Sequence, residues 1–448
     1  MTTRRSTSLR VDLLVLVGLV AVTGWFVIVG ADTMWAVALG DLVRHTGSVP
    51  QGVPFAAAAD PGWVNPLVLG ELVLSLVNAA GPAGLALAQV VLVAATLAIL
   101  VGEAHRGGAS SWRTAAVLVL VFLAALPQLV VARLPSLSLV PFVLLLMIIR
   151  RDAANPSQGI WWGVALVAVW ANLHGGVLIG EAVLGVYLVV GRLRRAPTST
   201  VAVLVGSLVA AGLATPALTQ TPSYYLGVLG NEAARRGTDL WAPLTLGHTL
   251  DVVLIVAAVV LLAMCRRHRP RVWELVALVG LAAGTVMTAR NGVWLVLLLA
   301  VPAALAAAPT TVRTDLERPA AKVGWTLPAA VALSVLLAFP LVVGRGTATS
   351  APGLAVVPAL RELTTGHVVL APEPLVETLA QGGVRVWASN PIDAFPHPVQ
   401  AAYLDYLHAG VIPNGLPSDV RLVVRQGEHP AGWQALGQAA GWVVLARP

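Results

Sequence analysis

The stretch that decides the fold begins Ala31-Asp32-Thr33-Met34-Trp35, runs through Gly47-Ser48-Val49-Pro50 and Val53-Pro54-Phe55, and ends Trp63-Val64-Asn65-Pro66. It is polar and rich in turn residues, and it comes after an apolar run over 11–30. Apolar runs of about 20 residues, each long enough for a hydrocarbon core of roughly 30 Å, recur along the rest of the chain. The segment therefore reads as a long structured loop just past a first spanning helix. Ionisable groups at such a position are costly to keep near lipid, which makes them functional candidates.

Composition agrees. Of 448 residues, 57% are hydrophobic and 11% charged, and the mean hydropathy is +0.83. The apolar runs are continuous Leu/Val/Ala rather than alternating, which argues for helices and against a β-barrel. The expected class is a polytopic α-helical membrane protein. Spans are expected near 11–30, 83–103, 114–131, 136–149, 159–173, 176–191, 200–214, 250–265, 272–288, 292–308 and 323–344, about eleven crossings in all.

The net charge of +7 does not point to nucleic acid. Lys322 is the only lysine, and the arginines sit in short loops between apolar runs. Arg106 and Arg113, Arg150-Arg151, Arg192 with Arg194 and Arg195, Arg266 to Arg271, and Arg313, Arg318 and Lys322 fall on one side of the expected register. That is the positive-inside bias, and it sets a cytoplasmic N-terminus in a plasma-membrane, multi-pass chain. The basic start, Arg4, Arg5 and Arg10, resembles a signal peptide's, but the run after it is too long and has no small-x-small cleavage site, so it reads as an uncleaved span. Cys265, the single cysteine, leaves no internal disulfide and no cysteine-based zinc site.

Within the outer loop, 31–82, two short helices are expected along the membrane face, 32–44 and 65–79, before Gly81-Pro82-Ala83-Gly84 interrupts the chain. Trp35 and Trp63 suit interfacial anchors. From about 345 the character changes: charges and prolines become frequent. Strands are expected at 367–370, 384–387 and 421–424, with helices at 374–381 and 397–408 between them. This reads as a small C-terminal α/β domain, 345–448, with a parallel sheet. An odd number of crossings places it outside the cytoplasm. Its apolar, Pro-rich Asn390-Pro391 and Phe395-Pro396-His397-Pro398 segment is expected to dock, with the 31–64 loop as the nearest surface.

Several residues could carry chemistry. Asp32 could deprotonate an acceptor hydroxyl or help hold a divalent cation, or simply cap the helix that begins after it. Glu71 is an acid inside an apolar helix; Asp41 and Asp60 are the other outer acids, and Asp60-Pro61-Gly62 reads as a turn. Asn172-Leu173-His174-Gly175-Gly176 breaks two apolar runs, either to bind a polar head group or as a tight turn with a capping Asn; a zinc reading of His174 is weak because no further ligand lies near. Arg133, Arg235-Arg236 and Arg290 fall on the outer side against the trend, where guanidinium could pair with phosphate or with lipid head groups. Walker, Ser-x-x-Lys, His-Glu-x-x-His and Gly-x-Ser-x-Gly motifs are absent from the sequence, which argues against those ATPase, hydrolase and protease types.

An early Asp after the first span, two outer-face helices and many further spans resemble the GT-C superfamily of membrane glycosyltransferases, and more closely a bacterial group of GT-C-like integral membrane proteins. The matching positions are Asp32, Trp35, Gly47, Pro50, Pro54-Phe55, Trp63, Glu71, Arg133, Asn172-Leu173-His174-Gly175-Gly176 and Ala289-Arg290. The chain departs from the group at Ala36, at Val53 and after Trp63, where polar residues are expected. The resemblance implies a transferase moving a sugar from a polyprenyl-phosphate donor to a cell-envelope acceptor. Asp32 would be base or metal ligand, Arg133 and Arg290 phosphate clamps, and Asn172, His174, Glu71 and Trp63 substrate contacts. The lost polar positions equally suit a non-catalytic scaffold that binds lipid-linked glycan.

Overall fold

The computed structural model describes residues 10–30, 32–60, 62–265, 270–305, 325–349, 357–428, 430–439 and 441–447. The expectations on Arg4, Arg5, Ala31, Arg266, Arg267, Arg269, Arg313, Arg318 and Lys322 lie outside them.

Among the described residues, helices occupy most of each expected apolar run and also form between them. In order these are α1 (Val11–Phe26), α2 (Thr33–Thr46), α3 (Val68–Asn78), α4 (Gly81–Arg106), α5 (Ser111–Ala124), α6 (Leu126–Val130), α7 (Leu139–Ala154), α8 (Trp161–Ala171), α9 (Val177–Val186) and α10 (Pro197–Leu213). Next come α11 (Thr221–Leu229), α12 (Glu232–Arg236), α13 (Thr249–Met264), α14 (Val272–Met287), α15 (Gly292–Leu305) and α16 (Thr326–Val343). The two short helices expected at 32–44 and 65–79 are α2 and α3. By length and composition, three described helices can cross a membrane: Gly81–Arg106, Leu134–Ala154 and Thr326–Val343. A fourth is formed if Pro197–Leu213 and Leu218–Arg236, bent by 97°, count as one span. The other apolar helices are 10–17 residues long, below the roughly 20 residues of a full straight crossing. The count of eleven is therefore not supported by helix length.

The helices bury one continuous core of Leu, Val and Ala. At one end of the bundle, basic side chains close the helix ends. Arg113 donates to the carbonyls of Ala303 and Met264 at 2.7 and 2.8 Å; Arg150 donates at 2.7 Å to that of Leu298, inside α15, whose usual partner four residues on is Pro302 and has no N–H. Asp12, fully buried, bonds to both His105 and Ser111 and so ties α1 to α4 and α5. Asp152 likewise takes bonds from Tyr187 at 2.5 Å and Arg192 at 2.7 Å.

At the opposite end, two short strands form a parallel pair, β1 (Ile28–Val29) after α1 and β2 (Val131–Ala132) after α6, in register Ile28↔Val131 and Val29↔Ala132. Gly30 N–H and the Thr33 hydroxyl both donate to the Ala132 carbonyl at 2.8 Å. The pairing fixes the segments leaving the two strands side by side, Asp32 in one and Arg133 in the other.

The C-terminal residues add α17 (Val357–Thr364), β3 (Val369–Leu370), α18 (Leu375–Gln381), α19 (His397–Ala409), β4 (Arg421–Arg425), β5 (Gln434–Ala439) and β6 (Trp442–Ala446). The sheet order is β3-β4-β6-β5. β3 and β4 are parallel, but β4–β6 and β6–β5 are antiparallel, so the expected parallel sheet is a mixed one. The expected strand at 384–387 is reduced to a single residue, Val386, which bridges both Val369 and Ala56. Ala56 lies in the loop after α2: Ala57 and Ala58 donate to the carbonyls of Val386 and Trp387 at 2.7 and 2.8 Å. The loop thus extends the sheet's edge, and its Val53 and Trp63, with Trp35 of α2, share one core with the C-terminal Val369, Trp387 and Phe395.

Candidate functional site

The site grows from the strand pair. Asp32 begins α2, yet its carboxylate caps nothing and its backbone is already helical, so the capping alternative is set aside. Instead, Asp32 Oδ1 lies 3.3 Å from Arg133 Nε. Both side chains are half-buried, 17% and 24% exposed, so the pair is partly shielded from water and the attraction exceeds that of a surface bridge.

Arg290 stands in a short turn, Ala289–Asn291, between α14 and α15. Its guanidinium lies 4.1 Å from the centroid of the Trp241 ring, a cation–π geometry that holds the charge without neutralising it. It feels the charges of Arg133 and Asp32. His174, in the turn between α8 and α9, feels Arg290 and Arg133 in turn. Its Nδ1 takes the Gly176 N–H at 2.9 Å and lies 2.9 Å from the Ser138 hydroxyl. A backbone N–H can only donate, so Nδ1 is the acceptor nitrogen and the ring proton sits on Nε2. Burial first, then the two arginines, holds this imidazole down to about 3, so it is neutral at physiological pH. Asp32, Arg133, His174 and Arg290 therefore form one electrostatic cluster.

The remaining sequence candidates lie elsewhere or are engaged in structure. Asn172 donates to the carbonyls of Ala168 and Ala214 at 2.9 and 2.7 Å, and its own carbonyl takes the Gly70 N–H at 3.0 Å. It holds a turn, as the capping alternative has it. Trp63 is only 9% exposed, so it is no interfacial anchor; its indole donates to Asp393 at 3.3 Å and its ring meets Tyr224 at 6.2 Å between centroids. Trp35 is buried as well. Glu71 is fully buried and takes a 2.6 Å bond from Asn65; burial pushes its carboxyl up to about 8 despite that bond. Asp41 links α2 to Ser75 and Gln381, and Asp60 accepts the Val53 N–H in a turn. Arg236 pairs with Asp405 of α19 at 2.6 Å. Ala36 and Val53 are buried in the core.

Asp32 and Arg133 form part of the wall of a cavity of about 1020 Å³ between this end of the bundle and the C-terminal residues. Trp241 lines it from the α12–α13 loop, and Glu373, Asn390 and Trp442 line it from the C-terminal side. Asn390 donates to both Glu373 and Glu377 at 3.0 Å. Burial, and next the charge of Glu373, pushes the Glu377 carboxyl well above the usual range, with a smaller contribution from Asp32. None of these lining groups stands out in the sequence. The nearest signal is the apolar Pro-rich segment beginning Asn390-Pro391, which does dock: Phe395 is 3% exposed. Among the described residues, no three His, Cys, Asp or Glu side chains converge as a metal-binding group. The donor set around Asp32, dominated by guanidiniums, does not fit a divalent cation.

No family model matches the sequence, and no curated protein matches it. Among solved structures, the chain is similar to the arabinofuranosyltransferase AftD from mycobacteria, with 16% identity and a TM-score of 0.49. That likeness covers 97% of this chain and 39% of AftD, so the chain spans well under half of that enzyme's length.

Proposed function

We propose that this chain is a membrane glycosyltransferase that moves a sugar from a polyprenyl-phosphate donor to a cell-envelope acceptor, with its site on the extracytoplasmic side of the plasma membrane. The observation that carries the reading is the pairing of Asp32 with Arg133 in the wall of a large cavity at one bundle end, beside Arg290 on Trp241. Two guanidiniums with one paired carboxylate leave an excess of positive charge, which suits a lipid phosphate.

In this reading the donor phosphate sits against Arg133 and Arg290. The acceptor hydroxyl approaches Asp32, which takes its proton as the oxygen attacks the sugar's anomeric carbon. The bond from that carbon to the phosphate oxygen breaks, and polyprenyl phosphate leaves with its negative charge held by the arginines. Neutral His174 lies near enough to feel both arginines and adds no charge of its own. No step runs through a metal ion.

The test is Asp32→Asn in membranes supplied with a polyprenyl-phosphate sugar. Loss of turnover by about a hundredfold or more is expected for removal of a general base; full turnover would overturn the role of Asp32. A reporter fused after Pro448 and active only in the cytoplasm would overturn the topology. A second reading, a non-catalytic protein that binds lipid-linked glycan, is favoured by one set of facts: Asn172, Glu71 and Trp63 all bond within the protein. Binding of polyprenyl phosphate by the wild-type chain without transfer to any acceptor would select it.

A further inference from the structure

The chain turns sharply after α10. That helix and the stretch Leu218–Arg236 meet at 97°, so the two do not make one straight crossing. α10 exposes Val201, Val205, Leu208 and Val209, which share one face at helical spacing. In a chain of this composition such an apolar face meets lipid. α11 then runs across the direction of α10, and its surface falls into three stripes. Thr221 and Tyr225 are buried. Pro222, Leu226 and Leu229 follow one another at i, i+4 and i+7 and so share a face; all are exposed, the two leucines by 72% and 58%. Ser223 and Gly227, each one position further on, are exposed as well. A helix sunk in hydrocarbon has no use for a small polar stripe, and one in open water gains nothing from adjacent leucines. A helix lying at the boundary has both. Arg235, in α12, has a side chain 64% exposed and a bridge to Glu232 at 3.5 Å, which water screens.

We propose that α11 docks on a phospholipid surface, lying in the headgroup region of the leaflet at the candidate-site end of the bundle. Pro222, Leu226 and Leu229 enter the lipid, and Ser223 and Gly227 turn towards water. The occupant is lipid because the stripe continues the exposed apolar face of α10 around the bend, and because the exposed Arg235 guanidinium suits headgroup phosphates. Docking there bears on the site. The Tyr225 ring lies so close to Gly175 that a Cβ added to that glycine would come within 3.3 Å of it, and the Tyr224 ring meets Trp63 at 6.2 Å between centroids. α11 therefore fixes the depth of the His174 turn relative to the headgroups. Lipid docking of α11 is independent of the transferase reading and holds equally for a protein without catalysis.

The experiment puts an environment-sensitive fluorophore on single cysteines of the full chain in nanodiscs of phosphatidylcholine and phosphatidylglycerol, with the buried native cysteine removed as Cys265→Ser. Leu226→Cys and Leu229→Cys read the apolar stripe, and Ser223→Cys reads the polar one. Leu208→Cys on α10 is the lipid reference, and Ser418→Cys among the C-terminal residues is the water reference. All five positions are exposed, so the labels do not enter the core, and Leu229 reads the stripe even where a label at Leu226 disturbs the helix. Labels at 226 and 229 should lose fluorescence to a nitroxide-bearing phospholipid as the 208 label does, and should be shielded from iodide. The 223 label should be quenched by iodide as the 418 label is. Iodide quenching at 226 and 229 equal to that at 418 would put α11 in water and overturn the docking. Lipid quenching at 223 as strong as at 208 would sink α11 wholly in the bilayer and overturn it as well. Shielding of 226 and 229 from both quenchers would overturn it too, because a second copy or another protein would then cover the stripe. Transfer chemistry does not enter the readout, so failure of the docking and failure of the transferase reading are separate results.

Discussion

The Trp63 indole donates to Asp393 Oδ2 at 3.3 Å across 330 residues of sequence, so the loop after α2 is held to the C-terminal residues by a bond from a ring to an acid. Burial raises the Asp393 carboxyl to about 6, against lowering by its own backbone N–H and by Trp63. An acid raised in this way favours the folded state while protonated, and its contribution falls as pH rises from about 4 through 6. Above that window the indole bond is charge-assisted. Trp63→Phe should therefore cost more at pH 8 than at pH 5, by about 1 kcal/mol. Thermal unfolding of the detergent-solubilised protein at the two pH values measures this; an equal loss at both would show that only ring packing matters.

Glu71 carries the larger proton effect. Its carboxyl, at about 8 in the fold, has an ordinary value of 4.5. The folded state thus holds a proton that the unfolded chain releases, and stability should fall by about 1.4 kcal/mol per pH unit between those values. Glu71→Gln mimics the protonated form, and its side-chain oxygen can still accept from Asn65. The variant should flatten the decline in melting temperature from pH 5 to pH 8. A wild-type profile that is already flat would remove the buried proton.

His174 works in the opposite sense. Its folded value of about 3 lies below the ordinary 6.5, so the unfolded chain binds the extra proton. Stability should be complete above about 6.5 and should decline as pH falls towards 3. At pH 5 the deficit reaches about 2 kcal/mol. His174→Gln, which keeps an acceptor for the Gly176 N–H, should be less sensitive to acid than the wild type. Histidine ring NMR shifts that titrate near pH 6.5 at this residue would contradict the assignment of a neutral ring.

Legibility in the sequence tracks the length of each signal. Long apolar runs bounded by Gly, Pro and Arg locate the helices, because even an apolar helix of 10–17 residues leaves several turns of pattern. β1 and β2 are two residues each and leave no period to detect. β5 is largely exposed along its length and lacks the alternation of a half-buried strand. The run Trp442 to Leu445 after Gly441 does carry a strand signal, and without it a mixed sheet reads as a parallel one. At the site, Asp32, Arg133, His174 and Arg290 stand out because charge and turn residues interrupt apolar sequence. Their mutual placement does not, since it depends on β1 pairing with β2 and on α9 packing against α14. Glu373 and Trp442 are silent because single charged and aromatic residues are ordinary in a stretch of mixed composition.

The most stringent packing prediction concerns two glycines around α3. A Cβ on Gly70 would lie 2.2 Å from the Leu173 carbonyl oxygen, and one on Gly40 would lie 2.2 Å from that of Glu71. Both obstacles are backbone, which cannot rotate aside as a side chain can. The first contact sets α3 against the turn that carries His174; the second sets α2, which begins at Asp32, against α3. Gly70→Ala and Gly40→Ala should each destabilise the protein by about 2 kcal/mol or more. Gly70→Ala should also displace His174 and weaken polyprenyl phosphate binding in whatever folded fraction survives. Gly18, inside α1, has no atom within 4 Å of its would-be Cβ. Gly18→Ala should be neutral or stabilising by up to about 1 kcal/mol, because alanine is the better helix former. Melting temperatures of the three variants, with ligand binding measured on the folded protein, test the set. If Gly70→Ala melts and binds like Gly18→Ala, the close approach of α3 to the His174 turn is wrong.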